Sequence, residues 1–225
     1  MRVPALCSAA VLCVACGSSV APEPSSATTG LPAHAAVAEP ARIGAARSDL
    51  PPGYEVGDLA GRTAPVALWG LGEPWTVEPP QCTPLVDPPL DAATVRGWSA
   101  SGPGGIVYAV AGSVASGLDE LLREQCGTFS VVTGRTTAKV ETIDAPAVDG
   151  ASTLGLRTEA ATVVEGGTET HSHADTFTAY LGDVITYVTV VTDPGSTGAP
   201  LGPGFAAELL TSTVSALRGS PASGG

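Results

Sequence analysis

The chain has 225 residues, with 22 acidic against 10 basic side chains and a formal net charge of −12. A surface that acidic repels phosphates, and its one lysine, Lys139, and scattered arginines make no cluster, so neither a nucleic-acid footprint nor a polybasic membrane patch is expected. Its length beyond residue 40 suits one domain with a proper core and is short for two.

Residues 1–15 read as a signal peptide: one positive charge at Arg2, then small and apolar residues from Val3 to Ala15, and no acid. The stretch is too short to span the ~30 Å hydrocarbon core as a permanent helix. Bacterial lipoproteins end their signal at a cysteine preceded by small residues, and Val14, Ala15 and Cys16 fit, although Cys13 stands where leucine is usual. A lipid on Cys16 is therefore expected, with ordinary secretion as the alternative. Cys7 and Cys13 leave with the signal, so Cys82 and Cys126 remain. In an oxidising space they are expected to pair, closing a loop of about 45 residues and contributing about 3 to 4 kcal/mol on the chain-entropy model. Two free thiols are the alternative.

Residues 16–40, rich in Ala, Pro, Ser and Thr, read as a disordered tether behind the anchor. The domain is placed at 41–218 and a frayed tail at 219–225. Within the domain, 49–90 carries so many prolines that regular strands and long helices are excluded. Tyr54, Trp69, Trp75 and Cys82 still call for order, so the segment is read as an irregular cap stapled to a sheet. Alternation then predicts strands at 95–100, 105–111, 128–133, 136–143, 153–164, 168–181 and 184–191. A helix is predicted over 116–125, N-capped by Ser116, with Leu118, Leu121 and Leu122 on its inner side. A second, over 203–219, carries the stripe Ala206, Leu209, Leu210, Thr213, Val214 and Leu217. Short links between consecutive strands make them antiparallel. The fold class is thus α+β: a single antiparallel β-sheet with helices packed on one face and a proline-rich irregular cap.

The run Glu169-Thr170-His171-Ser172-His173-Ala174-Asp175 is the most suggestive chemically. Alternate residues of a strand share a face, so Glu169, His171, His173 and Asp175 project together, about 6.6 Å apart in succession. A two-residue turn at Gly166-Gly167 would pair Thr162 with His171, Ala160 with His173, Leu156 with Phe177 and Leu154 with Ala179. The histidines would then face no ligand across the hairpin, and their face would run on into Leu154, Leu156, Phe177, Ala179, Leu181 and Val188. Its polar end is a candidate edge of a cleft, or the base of a metal site if a third ligand arrives from elsewhere. An ordinary solvated hairpin tip is the plainer reading.

No G-x-S-x-G elbow or local Ser-His-acid pattern occurs, and the glycine-rich 101–105 leads into a strand rather than a helix, so it reads as a hairpin loop and not a phosphate cradle. Trp69, Trp75 and Trp98 read as core rather than as an aromatic wall.

The series DLPPGYEV (49–56), ALWGLGEPW (67–75), PPQC (79–82) and GWSASGPGGIVYAV (97–110), with the late Cys126, resembles a family of mycobacterial cell-envelope lipoproteins of unknown function. These are similar in turn to the extracellular sensor domain of PknH-type receptor Ser/Thr kinases. The resemblance implies an antiparallel sheet with flanking helices around a cleft for an unidentified ligand. The kinase sensor domains carry two disulfides, whereas one is available here, and no kinase domain stands in the chain, so any ligand role would be passive or partner-mediated. The functional expectation is a membrane-anchored extracytoplasmic monomer that binds a small molecule, a lipid or an envelope protein without catalysis and without a cofactor. A metal-binding protein or metal-dependent enzyme using the Glu169/His171/His173/Asp175 face is the second reading.

Overall fold

The structure is a computed structural model that describes residues 37–59, 63–192 and 198–219. The signal, Cys16, nearly all of the tether and the tail beyond Gly219 lie outside the described residues.

In chain order, a 3-10 helix (Pro40–Asp49) precedes strand β1 (Glu55–Asp58), helix α1 (Pro65–Leu68), β2 (Thr76–Glu78), a 3-10 turn (Pro80–Cys82) and α2 (Thr83–Val86). Strands β3 (Arg96–Gly102) and β4 (Gly105–Ser113) lead to α3 (Glu120–Gln125). Then come β5 (Thr128–Thr133), β6 (Thr136–Ile143), β7 (Ser152–Val163), β8 (Glu169–Leu181), β9 (Val184–Thr192) and α4 (Pro203–Leu217). All nine strands form one antiparallel sheet in the order β1-β3-β4-β9-β8-β7-β6-β5-β2. The α+β class and the seven long strands agree with the sequence reading to within two residues at each end.

The proline-rich stretch does more than its composition suggested. It contributes β1 and β2, which pair with the outermost long strands, β3 and β5, at opposite edges of the sheet. Proline excludes a strand only where both sides of the backbone must pair, and an edge strand pairs on one side, so short edge strands survive between the prolines. The cap segment thus reaches one edge of the sheet at β1 and the other at β2, and by Leu90 it is back beside Val114 at the end of β4.

Two layers cover the sheet. On one face α4 buries all six residues of its predicted stripe, and the 3-10 helix adds Ile43 and Ala46 at the three-residue spacing that its geometry puts on one side. They enclose Trp98, Val107, Ala109, Phe177 and Val188. On the other face Val66, Trp69, Leu71, Leu85 and Val86 of the cap pack on Phe129, Val131, Val140, Leu154 and Leu156. One indole pins each layer: Trp98 Nε1 donates to the Ile43 carbonyl at 3.1 Å, and Trp69 Nε1 donates to Thr176 Oγ1 at 3.0 Å. Trp75 is half-buried at the margin of the cap core.

Cys82 and Cys126 are bonded, with Cα atoms 5.8 Å apart, and both are fully buried. The helix that ends at Cys126 is shorter than predicted. Asp119, not Ser116, caps it: its Oδ1 accepts from Leu121 N at 3.0 Å and Leu122 N at 3.2 Å, because a carboxylate two residues before the first free amides reaches them best. Leu118 and Leu122 lean on the cap core, whereas Leu121 is 68% exposed, so one of the three predicted inner leucines points outward.

Candidate functional site

The β7–β8 hairpin departs from the predicted register by one residue. Its loop is three residues, 165–167, closed by Val164 N donating to the Thr168 carbonyl at 2.8 Å and by Gly167 N donating to the Val164 carbonyl at 3.1 Å. Gly166 and Gly167 both sit at positive φ, 87° and 82°, which only glycine adopts freely and which turns the chain one residue wider than a two-residue hairpin. His171 therefore faces Ala161, and His173 faces Glu159. A one-residue slip reverses the facing of a strand. Leu154 and Leu156 accordingly lie under the cap, while Phe177, Ala179, Leu181 and Val188 remain on the histidine face. A carboxylate, not an inert side chain, stands opposite His173.

The histidine face continues across β7, β6, β5 and β2 as two polar rows. One runs Glu78, Ser130, Lys139, Glu159, His173 and Thr192; the other runs Thr128, Glu141, Arg157 and Asp175 and ends on the buried Val190. Signs alternate within them, and Lys139 pairs with Glu141 along its own strand. In the second row Asp175 is only 2% exposed, with Arg157 Nε donating to its Oδ1 at 3.3 Å and His173 Nε2 lying 3.1 Å from its Oδ2. The hydrogen bond that His173 donates to Asp175 raises the His173 pKa, desolvation opposes it, and the charges of Asp175 and Glu159 outweigh that of Arg157.

The four residues singled out by sequence do not converge. His173 and Asp175 form one pair; His171 and Glu169 form a looser, exposed one, with Nε2 and Oε2 3.8 Å apart. Among the described residues no three His, Cys, Asp or Glu side chains are placed to hold a metal ion. Each oxygen of Asp175 already has a partner, and Arg157 brings a positive charge where a cation would have to enter. His171 and His173, with Glu159, Ser172 and Thr192, do line a shallow depression of about 360 Å³. Glu169 and Asp175 do not reach it.

A deeper hollow lies on the opposite face, where the sequence marked Ser116, Leu118 and Leu122 as helix positions and no residue as a ligand contact. Its volume is about 410 Å³, within the range of small-molecule sites. One wall is the cap segment Thr83–Pro89, the other the stretch from Val114 to Leu122, and Tyr180 of β8 also lines it. The disulfide joins the residue just before the first wall to the residue just after α3, so it ties the two walls together. Burial pushes the Tyr180 hydroxyl up to about 12, which keeps it a neutral phenol. Tyr187, fully buried beside it, is raised as well, first by burial and then by the charge of Asp87 and by Tyr180; its hydroxyl donates to the Thr63 carbonyl. Asp87 itself is shifted up by desolvation and by the neighbouring charge of Glu73. No periodicity foretells this site, because its walls come from three separate segments; the signal present was Cys82, which fixes the cap next to the end of α3.

No helix among the described residues is long and apolar enough to cross a membrane. Among curated proteins none matches the chain by sequence. Similar solved structures include two from mycobacteria. An uncharacterized protein from Mycobacterium smegmatis is 20% identical with a TM-score of 0.56, the match covering 81% of this chain and 98% of that one. The extracellular domain of PknH from Mycobacterium tuberculosis is 14% identical with a TM-score of 0.42, over 77% and 90%. The first likeness is one of fold. A family model described as a domain of unknown function, DUF5642, matches residues 39–218, every element from the 3-10 helix to α4, and the chain belongs to that family.

Proposed function

We propose that this chain is an extracytoplasmic lipoprotein, anchored through Cys16, whose domain binds a small ligand without catalysis in the cleft between the proline-rich cap and the sheet. The observation that carries the reading is the 410 Å³ hollow with largely apolar walls, tied by the Cys82–Cys126 bond and holding a neutral tyrosine. Sites that bind small molecules combine apolar walls with a few placed polar groups, and this one has both. The signal layout and the pairing of the two remaining cysteines support an address outside the membrane. The strand face of His171 and His173 favours a metal less, because Arg157 and His173 already occupy the carboxylate of Asp175.

The test compares small molecules released on denaturing the full chain, purified from its native host, with those released from Leu118→Trp, which fills the hollow. A specific compound present in the first sample and absent from the second supports the reading. The same compounds in both, or none in either, sink it and favour a protein-binding surface instead.

A further inference from the structure

The charge around the cap hollow is one-sided. Its body is built by Leu85, Pro88, Val114, Leu118, Leu122 and the ring of Tyr180. Two of its lining residues, Asp87 and Asp119, are acids, and among the described residues that line it none is basic. Asp119 is fixed in place by the two amides it caps, and Arg123, the nearest base along α3, is already paired with Glu120 at 2.7 Å. Asp87 lies on the opposite wall, where desolvation and then the charge of Glu73 disfavour its ionisation, and its own charge is near enough to act on Tyr187. Negative potential therefore gathers where the apolar walls meet solvent, on a chain whose net charge is already −12.

A carboxylate or sulfate headgroup entering here would meet two acids and no counter-charge, while an alcohol would gain only a hydrogen bond. An ammonium would meet opposite charge on both walls, and the face of a neutral tyrosine attracts a desolvated cation through its quadrupole. Among the described residues no group accepts the Tyr180 hydroxyl proton, so that hydroxyl is also available to a guest.

From these observations we infer that the hollow selects a cationic amphiphile: an apolar body of modest size carrying one ammonium group, with anionic amphiphiles such as fatty acids rejected. The inference deepens the ligand-binding reading above and rests on it.

Three water-soluble probes of equal chain length separate the two ideas: hexyltrimethylammonium, hexanol and hexanoate, titrated into the full chain in nanodiscs against empty nanodiscs. The ammonium probe is expected to bind at least tenfold more tightly than hexanol, and hexanoate more weakly than either. Asp87→Asn should reduce ammonium affinity several-fold and leave hexanol unchanged, and added salt should narrow the gap between the probes. Leu118→Trp should abolish binding of all three. Equal affinity for the three probes, with loss in Leu118→Trp, would overturn the charge selectivity and leave the pocket standing. Binding by none of them, or binding indifferent to Leu118→Trp, would remove both.

Discussion

One face of the sheet has two halves built from the same antiparallel backbone and put to opposite uses. Across β3, β4 and β9 the inward positions are Trp98, Ala100, Val107, Ala109, Val188 and Val190, and α4 with the 3-10 helix seals them from water. Across β5, β6 and β7 the equivalent positions are Thr128, Ser130, Lys139, Glu141, Arg157 and Glu159, and neither α4 nor the 3-10 helix reaches them. On the reverse face those same strands carry Phe129, Val131, Ala138, Val140, Leu154 and Leu156 under the cap. The β5–β7 end is therefore covered on the cap face alone, while β4 and β9 are covered on both, because Leu68 of the cap packs with Val110, Ile185 and Tyr187 on their reverse face; β8 is the boundary of the α4 layer, with Phe177, Ala179 and Leu181 facing α4 and Ala174 in the cap core. Asp175 sits at that boundary, buried by one half and paired by the other.

The sharpest way to break the comparison is to truncate one residue in each half. Trp98→Ala empties a fully buried site and removes the bond that ties the 3-10 helix to the sheet, so a loss of about 3 to 5 kcal/mol is expected. Ser130→Ala, half-buried on the open half, should stay within about 0.5 kcal/mol. Chemical denaturation of both variants measures the difference, and comparable losses would mean that the polar half is covered after all.

What could be read from the sequence follows the same division. The long strands and α4 announce themselves because burial on one side imposes a period, and all six stripe residues of α4 are buried as the pattern requires. The 3-10 helix was missed because a three-residue period with two buried positions in ten residues is too faint to separate from a tether ending in prolines. Edge strands β1 and β2 were hidden because proline argues against strands in general and only the pairing shows that one side is free. The candidate site suffered most. Adjacent glycines at 166 and 167 permit either a two- or a three-residue loop, and the choice decides what faces the histidines. Arg157 as the partner of Asp175, 18 residues away in the chain, is visible only once that register is known.

The boundary itself is tested by Arg157→Leu. Removing the guanidinium leaves Asp175, 2% exposed, with His173 of its own strand as its remaining partner among the described residues. Stranding one member of a fully buried pair costs ~3–5 kcal/mol, and since Arg157 is 37% exposed a smaller loss, about 2 to 3 kcal/mol, is expected. Replacing both residues by leucine should restore most of it, because the buried charge then disappears with its partner. If the double variant is as unstable as the single one, packing and not charge explains the effect.

The smallest expected effect separates the two halves by pH. His173 has a raised pKa first because its charged form donates a hydrogen bond to Asp175, with the charges of Asp175 and Glu159 adding to the shift. A histidine whose folded pKa exceeds its unfolded value of about 6.5 stabilises the fold fully below that value, and the contribution fades as pH rises through the raised folded value. Wild-type denaturation midpoints should therefore fall between pH 6 and pH 8.5. Desolvation and Arg157 oppose the shift, and the ring is 36% exposed, so solvent screening keeps the change modest. His173→Gln removes the proton but leaves an amide able to donate to Asp175, so its midpoints should vary less over the same interval. An equal fall in wild type and variant would place the pH sensitivity elsewhere in the chain and leave the His173–Asp175 pair a neutral hydrogen bond.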